Sequence, residues 1–534
     1  MLDILIRGGW VVDGTGNPRR RCDVGVCGGR IVSMDRCIKE PAKETICAEG
    51  LTVSPGFIDA HSHSDVTIGS NPYCESTIRQ GVTTEIVGNC GDSTAPFPPE
   101  GGGAGGGFGR FGDDPIPYGR TLGEHMEELE RVGMSGNLAW LTGHNSLRAL
   151  AGVKGPDVTE EQYQKMEQAL RQAFEDGAVG MSSGLEFEPG RASRPEELMR
   201  LAGVVKEYGG IYTSHIRNRD AHVLEALDEF LAVIRHHHIR GQVSHMNIRY
   251  HTHAPEQAVQ KCMEKIRQAR AEGYEVLTDM TPLDFGIGQM AGILPSWLTQ
   301  MPADQLKAAL SDPDIRERLR DDHDRYWRFI AGGEWERVRM QDNKAFPEIN
   351  GLTFPEIAAL WDKDPWDCYL DILAAVAPDI DSVVLVSRLF TEEHLAETIS
   401  DPLYMLVVDG YSTSAEGEVA RHTRFPLHYI GMDWFLTHHV RERHILSLEE
   451  AVRKMTSMPA AHFDLKDRGL LREGGIADIT VFDYDHMETP FDLRRPAQYA
   501  RGVRYVLVNG VPVLYEGEHL HTTPGKNIRR TYRR

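Results

Sequence analysis

Two histidines two residues apart, His61 and His63 in FIDAHSHSD, follow the apolar run VSPGFIDA. On an extended strand, residues i and i+2 point to one face, so both imidazoles can approach one metal ion. An isolated pair of this kind equally fits a solvated loop. Three further residues stand at the ends of predicted strands: Cys90 in TEIVGNCG, His215 in IYTSHIR and His245 in QVSHMNI. A buried cysteine alone is ordinarily inert filler, and a lone strand histidine is ordinarily a satisfied core residue. Side chains at the C-terminal ends of barrel strands converge on one mouth, however, and zinc accepts thiolate and imidazole ligands. Recurrence at strand ends is therefore the argument for one shared metal site. Asp409 ends YMLVVDG, where a carboxylate could ligate a metal weakly, orient water and carry a proton to a departing nitrogen. An Asp-Gly turn accounts for the same dipeptide.

Other features carry less. His236, His237 and His238 end a predicted helix, where polar or cationic groups complement the helix dipole, and His251 and His253 receive no ligand role. The stretch GGGAGGGFGRFG (101–112) contains a literal GxGxxG but lacks the phosphate-loop lysine and the strand-to-helix context, so it reads as a flexible loop. No serine triad is assembled from these residues.

The elements that must position these residues follow a repeated pattern. TEEQYQKMEQALRQAFEDG opens with a Thr159 to Gln162 capping box, closes at Gly177 and is followed by AVGMSSGL. Three more helices lead into IYTSHI, QVSHMNI and YEVLTDM. Four helix-then-strand units at about 30-residue spacing predict a parallel sheet, and the ligand candidates at strand ends favour a β/α barrel over a doubly wound sheet. The two chain ends differ in style. Short β runs with turns at Gly28-Gly29 and Asn509-Gly510 predict hairpins that pair into one small split domain. The expected organisation is a split β-sandwich from 1–55 and 465–534, a (β/α)8 TIM-like barrel over 56–464, and an insertion over 285–350 that lands on the active face as a candidate lid. Alternation is expected to resume at FPEIAALWDKD.

Composition excludes several classes. A chain of 534 residues with 41% hydrophobic and 26% charged content can bury a large core. A formal net charge of −21 opposes nucleic-acid binding. The N-terminal MLDILIRGGW lacks the layout of a signal peptide, and no run approaches a membrane span of roughly 20 apolar residues. Eight cysteines without a CxxC pair suit a reducing cytoplasm.

With these residues in place, the chain resembles the amidohydrolase superfamily and, within it, the N-acyl-D-amino-acid deacylases. The resemblance rests on GFIDAHSHSD, VTTEIVGNCG, GAVGMSSGLEFEPG, TSHIRN, VSHMN, VVDG, LSLEEAVRKMTSMPAAHF, DRGLLREGGIADITVFD and YVLVNGVPV, spread over nearly the whole length. It implies a tightly held zinc at Cys90, His215 and His245, a weaker second metal position at His61 and His63, and Asp409 as catalytic acid/base. Where such deacylases show SHHK, this chain has SHMN with Asn247; where they show a DVYPYTAGST-like segment, it has Thr281, Leu283 and Ile287. The arginine of their HPR segment corresponds to His428, with Arg424 close by. Asn247, Arg249, Thr281, Arg424 and His428 are thus the candidate substrate contacts, and the altered handle points away from a simple N-acetyl-D-amino acid. The expected activity is hydrolysis of a C–N bond in a small amide by metal-activated water, with oligomeric state open. A cyclic amide or urea hydrolase on the same site, and a catalytically silent scaffold, are the alternatives.

Overall fold

The protein is described by a computed structural model covering residues 1–97, 120–299, 301–321 and 327–532. The glycine-rich stretch 101–112 lies outside these residues. Eight parallel strands form the central sheet in chain order: Phe57–Asp59, Val82–Val87, Asn137–Gly143, Gly180–Gly184, Ile211–His215, Arg240–Val243, Val276–Met280 and Tyr404–Leu406. Just beyond the first and eighth strands, Ser62 and Gly410 form a parallel bridge that closes the barrel. The predicted helices, Glu160–Asp176, Pro195–Glu207, Val223–His237 and Ala258–Ala271, each precede a barrel strand as the sequence pattern requires. Thr159 and Gln162 exchange the expected capping-box bonds, and Gly177 ends that helix at φ 115°.

The strands are buried along almost their whole length because both faces are covered. Ile58, Ile86, Leu141 and Ile211 form one buried group with Met458, Ala460 and Phe463. Trp140, Phe174, Tyr212 and Phe230 belong to the larger core shared with the helices. Close backbone approach also matters. A Cβ on Gly56 would lie 2.2 Å from Thr83 Oγ1 on the neighbouring strand, so only glycine lets the first two strands pack there.

The chain ends meet in a nine-stranded sheet. Thr52–Pro55 from the N-terminal part pairs antiparallel with Ile479–Phe482 from the C-terminal part, and a second core of Ile4, Val24, Ile46, Ile479 and Val481 fills this unit. Asn509 and Gly510 turn its hairpin at φ 52° and 80°, the left-handed pair that such a two-residue turn needs. The tail then leaves the sheet and returns to the barrel, where Asn527 bridges Leu138.

The excursion between the seventh and eighth barrel strands is longer than the 285–350 insertion read from sequence. Phe285–Gln289, Val338–Asp342 and Val384–Arg388 form their own antiparallel three-stranded sheet, so Phe354–Trp361 and Pro365–Val376 lie inside the excursion rather than restarting the barrel. Local signals could not reveal this, because a capped amphipathic helix looks the same in either setting. Among the described residues, no helix is long and apolar enough to cross a membrane.

Candidate metal centre

All six residues singled out for chemistry come together at the C-terminal mouth of the barrel. The closing seam positions three of them. Asp409 N–H donates to the His61 carbonyl at 3.0 Å, and His63 N–H donates to the Gly410 carbonyl at 2.8 Å. Asp59 reinforces the seam by accepting from the backbone N–H groups of both His61 and Val408 at 3.1 Å. Cys90 follows the second strand in a turn where Gly88 and Gly91 have φ 78° and 81°. His215 is the last residue of the fifth strand, and His245 lies just past the sixth. Cys90, His245 and Asp409 all adopt left-handed backbone, with φ 51°, 33° and 52°. For non-glycine residues such conformations cost about 1–3 kcal/mol each and persist where the surroundings impose them.

The donor atoms converge. Cys90 Sγ lies 3.2 Å from His61 Nε2, 3.3 Å from His245 Nε2 and 3.6 Å from His215 Nδ1. Ligands on a tetrahedral zinc, with metal–sulfur and metal–nitrogen distances as usually found, are separated by about 3.5 Å. The spacing therefore fits a shared ion, and a thiolate with several imidazoles is a donor set that zinc favours. Asp409 Oδ1 lies 3.2 Å from His63 Nε2 and 3.4 Å from His61 Nε2, and its Oδ2 is 4.0 Å from His245 Nε2. Its side chain is 27% exposed while the histidines paired with it are at most 4% exposed. The carboxylate is thus the member of the cluster open to the mouth.

The electrostatics agree with the donor geometry. Burial opposes ionisation of the Cys90 thiol, but the imidazoles of His61 and His245 and the polar contacts with His215 and His245 outweigh it and hold the thiol well below its ordinary range. Burial likewise disfavours a protonated His63, yet Asp409 and Cys90 raise it to about 10. His245 is pushed down to about 4 by burial and by the nearby Arg219. The anionic sulfur and carboxylate draw protons onto the His61 and His63 side, and a divalent cation bound there would take those protons' place.

The candidate substrate contacts are distributed differently. Asn247 is buried and its Nδ2 donates to the Thr281 carbonyl at 3.3 Å, joining the ends of the sixth and seventh strands. Arg249 is wholly buried, its guanidinium engaged by Glu186 and Asp220. His428 stands behind the mouth, edge-on to Tyr411 with ring centroids 5.1 Å apart, and Tyr411 in turn faces His63 at 5.9 Å. Burial lowers His428 to about 4, so it is neutral at pH 7. Arg424 is half-buried on the segment preceding His428, with no hydrogen bond or ion pair among the described residues.

Two carboxylates escaped sequence reasoning. Asp279, in VLTDM, accepts from His245 N–H at 2.7 Å and lies 3.5 Å from His61 Nδ1. Glu186, in SSGLE, accepts from His215 Nε2 at 2.7 Å. An acid within or just after an apolar barrel strand was the available signal in both cases.

A closed parallel barrel whose mouth gathers a thiol, imidazoles and a carboxylate defines a β/α-barrel protein built around a cluster that could hold a metal ion. The chain belongs to the amidohydrolase family, whose sequence pattern matches residues 44–309 and 419–514. It is 33% identical to the N-acyl-D-glutamate deacylase of Alcaligenes xylosoxydans xylosoxydans over 99% of this chain and 97% of that one. A crystal structure of the N-acyl-D-glutamate deacylase from Bordetella bronchiseptica, complexed with zinc and a phosphonate mimic of the tetrahedral intermediate, superposes with a TM-score of 0.82 at 30% identity, covering 99% of both chains. A structure of D-aminoacylase, described as having a binuclear metal centre, matches with a TM-score of 0.80 at 26% identity over 99% of this chain and 100% of that one.

Proposed function

We propose that this chain is a zinc-dependent hydrolase of N-acyl-D-amino acids, cutting the amide C–N bond. The observation that carries this reading is the convergence of three imidazole nitrogens on Cys90 Sγ, with the carboxylate of Asp409 opening onto the same mouth. Cys90, His215 and His245 would hold the principal ion, and His61 and His63 a second, weaker one. A bound zinc would supply water of lowered pKa and polarise the substrate carbonyl. Asp409 accepts the proton released as water adds to the carbonyl carbon, and it returns a proton to the nitrogen as the C–N bond breaks. The seam bonds that join Asp409 to the His61 and His63 backbone keep its carboxylate within reach of the reacting atoms.

On the substrate side, neither Asn247 nor the neutral His428 can pair with a carboxylate as a cation does. Arg424, half-buried on the segment preceding His428, is the candidate cation for that role. The excursion between the seventh and eighth strands serves as the lid. The eight free cysteines suit a reducing, cytoplasmic setting.

The test is metal analysis followed by a panel of N-acyl-D-amino acids with acidic, neutral and basic side chains, their L counterparts, and cyclic amides. Stoichiometric zinc and amine release from the D compounds support the reading. Ring-opened acid from cyclic amides with no amine release would replace it, and a chain that binds no zinc would refute it.

A further inference from the structure

Behind the candidate metal centre lies an array of buried charges that the proposed reaction does not use. Glu186 follows the fourth barrel strand, and its side chain is 6% exposed. Its Oε2 accepts from His215 Nε2 at 2.7 Å, the ring nitrogen opposite the one that faces Cys90. Arg249, with a fully buried side chain, clamps the same carboxylate, with Nη1 donating to Oε1 at 3.0 Å and Nη2 to Oε2. Nη1 also reaches Asp220 Oδ1 at 3.2 Å, on a carboxylate that is itself fully buried. Arg219 lies 4.0 Å from Glu186 and donates to the His245 carbonyl at 2.8 Å. The ring of His245 contrasts with that of His215, because its Nδ1 has no hydrogen-bond partner among the described residues.

Each of these ions loses several kcal/mol of hydration on burial, and such an array persists only when its members satisfy one another. A purely structural ion triad would need only Glu186, Arg249 and Asp220. Here the carboxylate is also aimed at an imidazole, and that contact puts the proton on Nε2 and leaves the Nδ1 lone pair directed at Cys90. A carboxylate in this position orients a ligand histidine and makes it a stronger donor.

We propose that Glu186 is a positioning residue that fixes the tautomer and orientation of His215, with Arg249 and Asp220 holding Glu186 in place. The inference rests on the metal-site reading above. It assigns to Arg249 a role behind the metal rather than against the substrate.

The test is the zinc affinity of the full-length apoprotein, measured by competition with a chromophoric chelator, for wild type, Glu186→Gln and the control Glu197→Gln. Glu197 is another buried carboxylate, paired with His144 and Arg148 rather than with any residue of the cluster. Glu186→Gln should lower affinity roughly 10–100-fold and shift the visible bands of the cobalt-loaded protein, while Glu197→Gln leaves both unchanged. Equal affinity in Glu186→Gln and wild type overturns the proposal, as does an equal loss in both variants. A wild-type chain that takes up no zinc overturns the metal-site reading and this inference with it. If Glu186→Gln does not fold, Asp220→Asn decides instead: a several-fold loss supports the array and none overturns it.

Discussion

Replacing Asp409 with asparagine separates proton transfer from metal binding. Asparagine has the shape of aspartate and keeps an acceptor oxygen for His63 Nε2, now 3.2 Å from Asp409 Oδ1. The loop should hold its place, because the bonds joining it to His61 and His63 are made by backbone. What disappears is the charge and the ability to take a proton. General acid–base catalysis contributes typically 10²–10⁴-fold, so kcat/KM should fall by about that factor, equivalent to about 3–5 kcal/mol of transition-state stabilisation. Zinc content should stay near wild type, since Cys90 Sγ and its three imidazole neighbours at 3.2–3.6 Å are untouched. The assay is amine release from the best N-acyl-D-amino acid of the panel, with metal measured on the same preparation. Turnover within about threefold of wild type, a loss well under the smallest general-base effect, would refute the proton-transfer role. Loss of activity together with loss of zinc would make Asp409 chiefly a ligand.

Stripping the metal with a chelator should abolish turnover and lower Tm, with both restored by zinc. At a free zinc concentration 100 times Kd the stabilisation is about 2.7 kcal/mol, readable as a zinc-dependent Tm in calorimetry. Gly184→Ala places a methyl carbon 1.9 Å from the Cys90 carbonyl oxygen, so the Cys90 turn must move. We expect reduced zinc content and activity, and wild-type metal loading would contradict this account of the turn. Arg148→Met removes one member of the buried array with Glu197 and His144. It should cost about 3–5 kcal/mol in denaturant unfolding, while the surviving folded fraction keeps wild-type zinc per chain.

Much of the site was legible because strand ends in a parallel barrel carry a positional meaning. His61, His63, Cys90, His215, His245 and Asp409 each close an apolar run, and the structure brings all six to one mouth. The barrel itself was legible from four helix-then-strand repeats, whose amphipathic period and caps are local properties. The Gly28-Gly29 and Asn509-Gly510 turns were equally local, since each needs two left-handed residues in succession. By contrast, the second layer was not. Glu186 and Asp279 are ordinary acids in sequence, and their meaning comes from facing His215, His245 and His61 across separate strands. Arg249, a candidate substrate contact in sequence, is instead buried against Glu186 and Asp220. The extent of the 285–388 excursion was likewise invisible, because whether Val384–Arg388 joins the barrel or pairs with Phe285–Gln289 depends on long-range registry.

By itself, then, the sequence determined the element types, their order and the side chains able to bind metal, all set by periodicity, capping and residue chemistry within short windows. Only the tertiary structure decided the partners: the seam that locks Asp409 to His61 and His63, the three imidazoles around one sulfur, and the carboxylate behind His215. Those contacts join residues up to about 350 positions apart, and they form only where barrel closure and burial in a low-dielectric interior make pairing of charged groups obligatory.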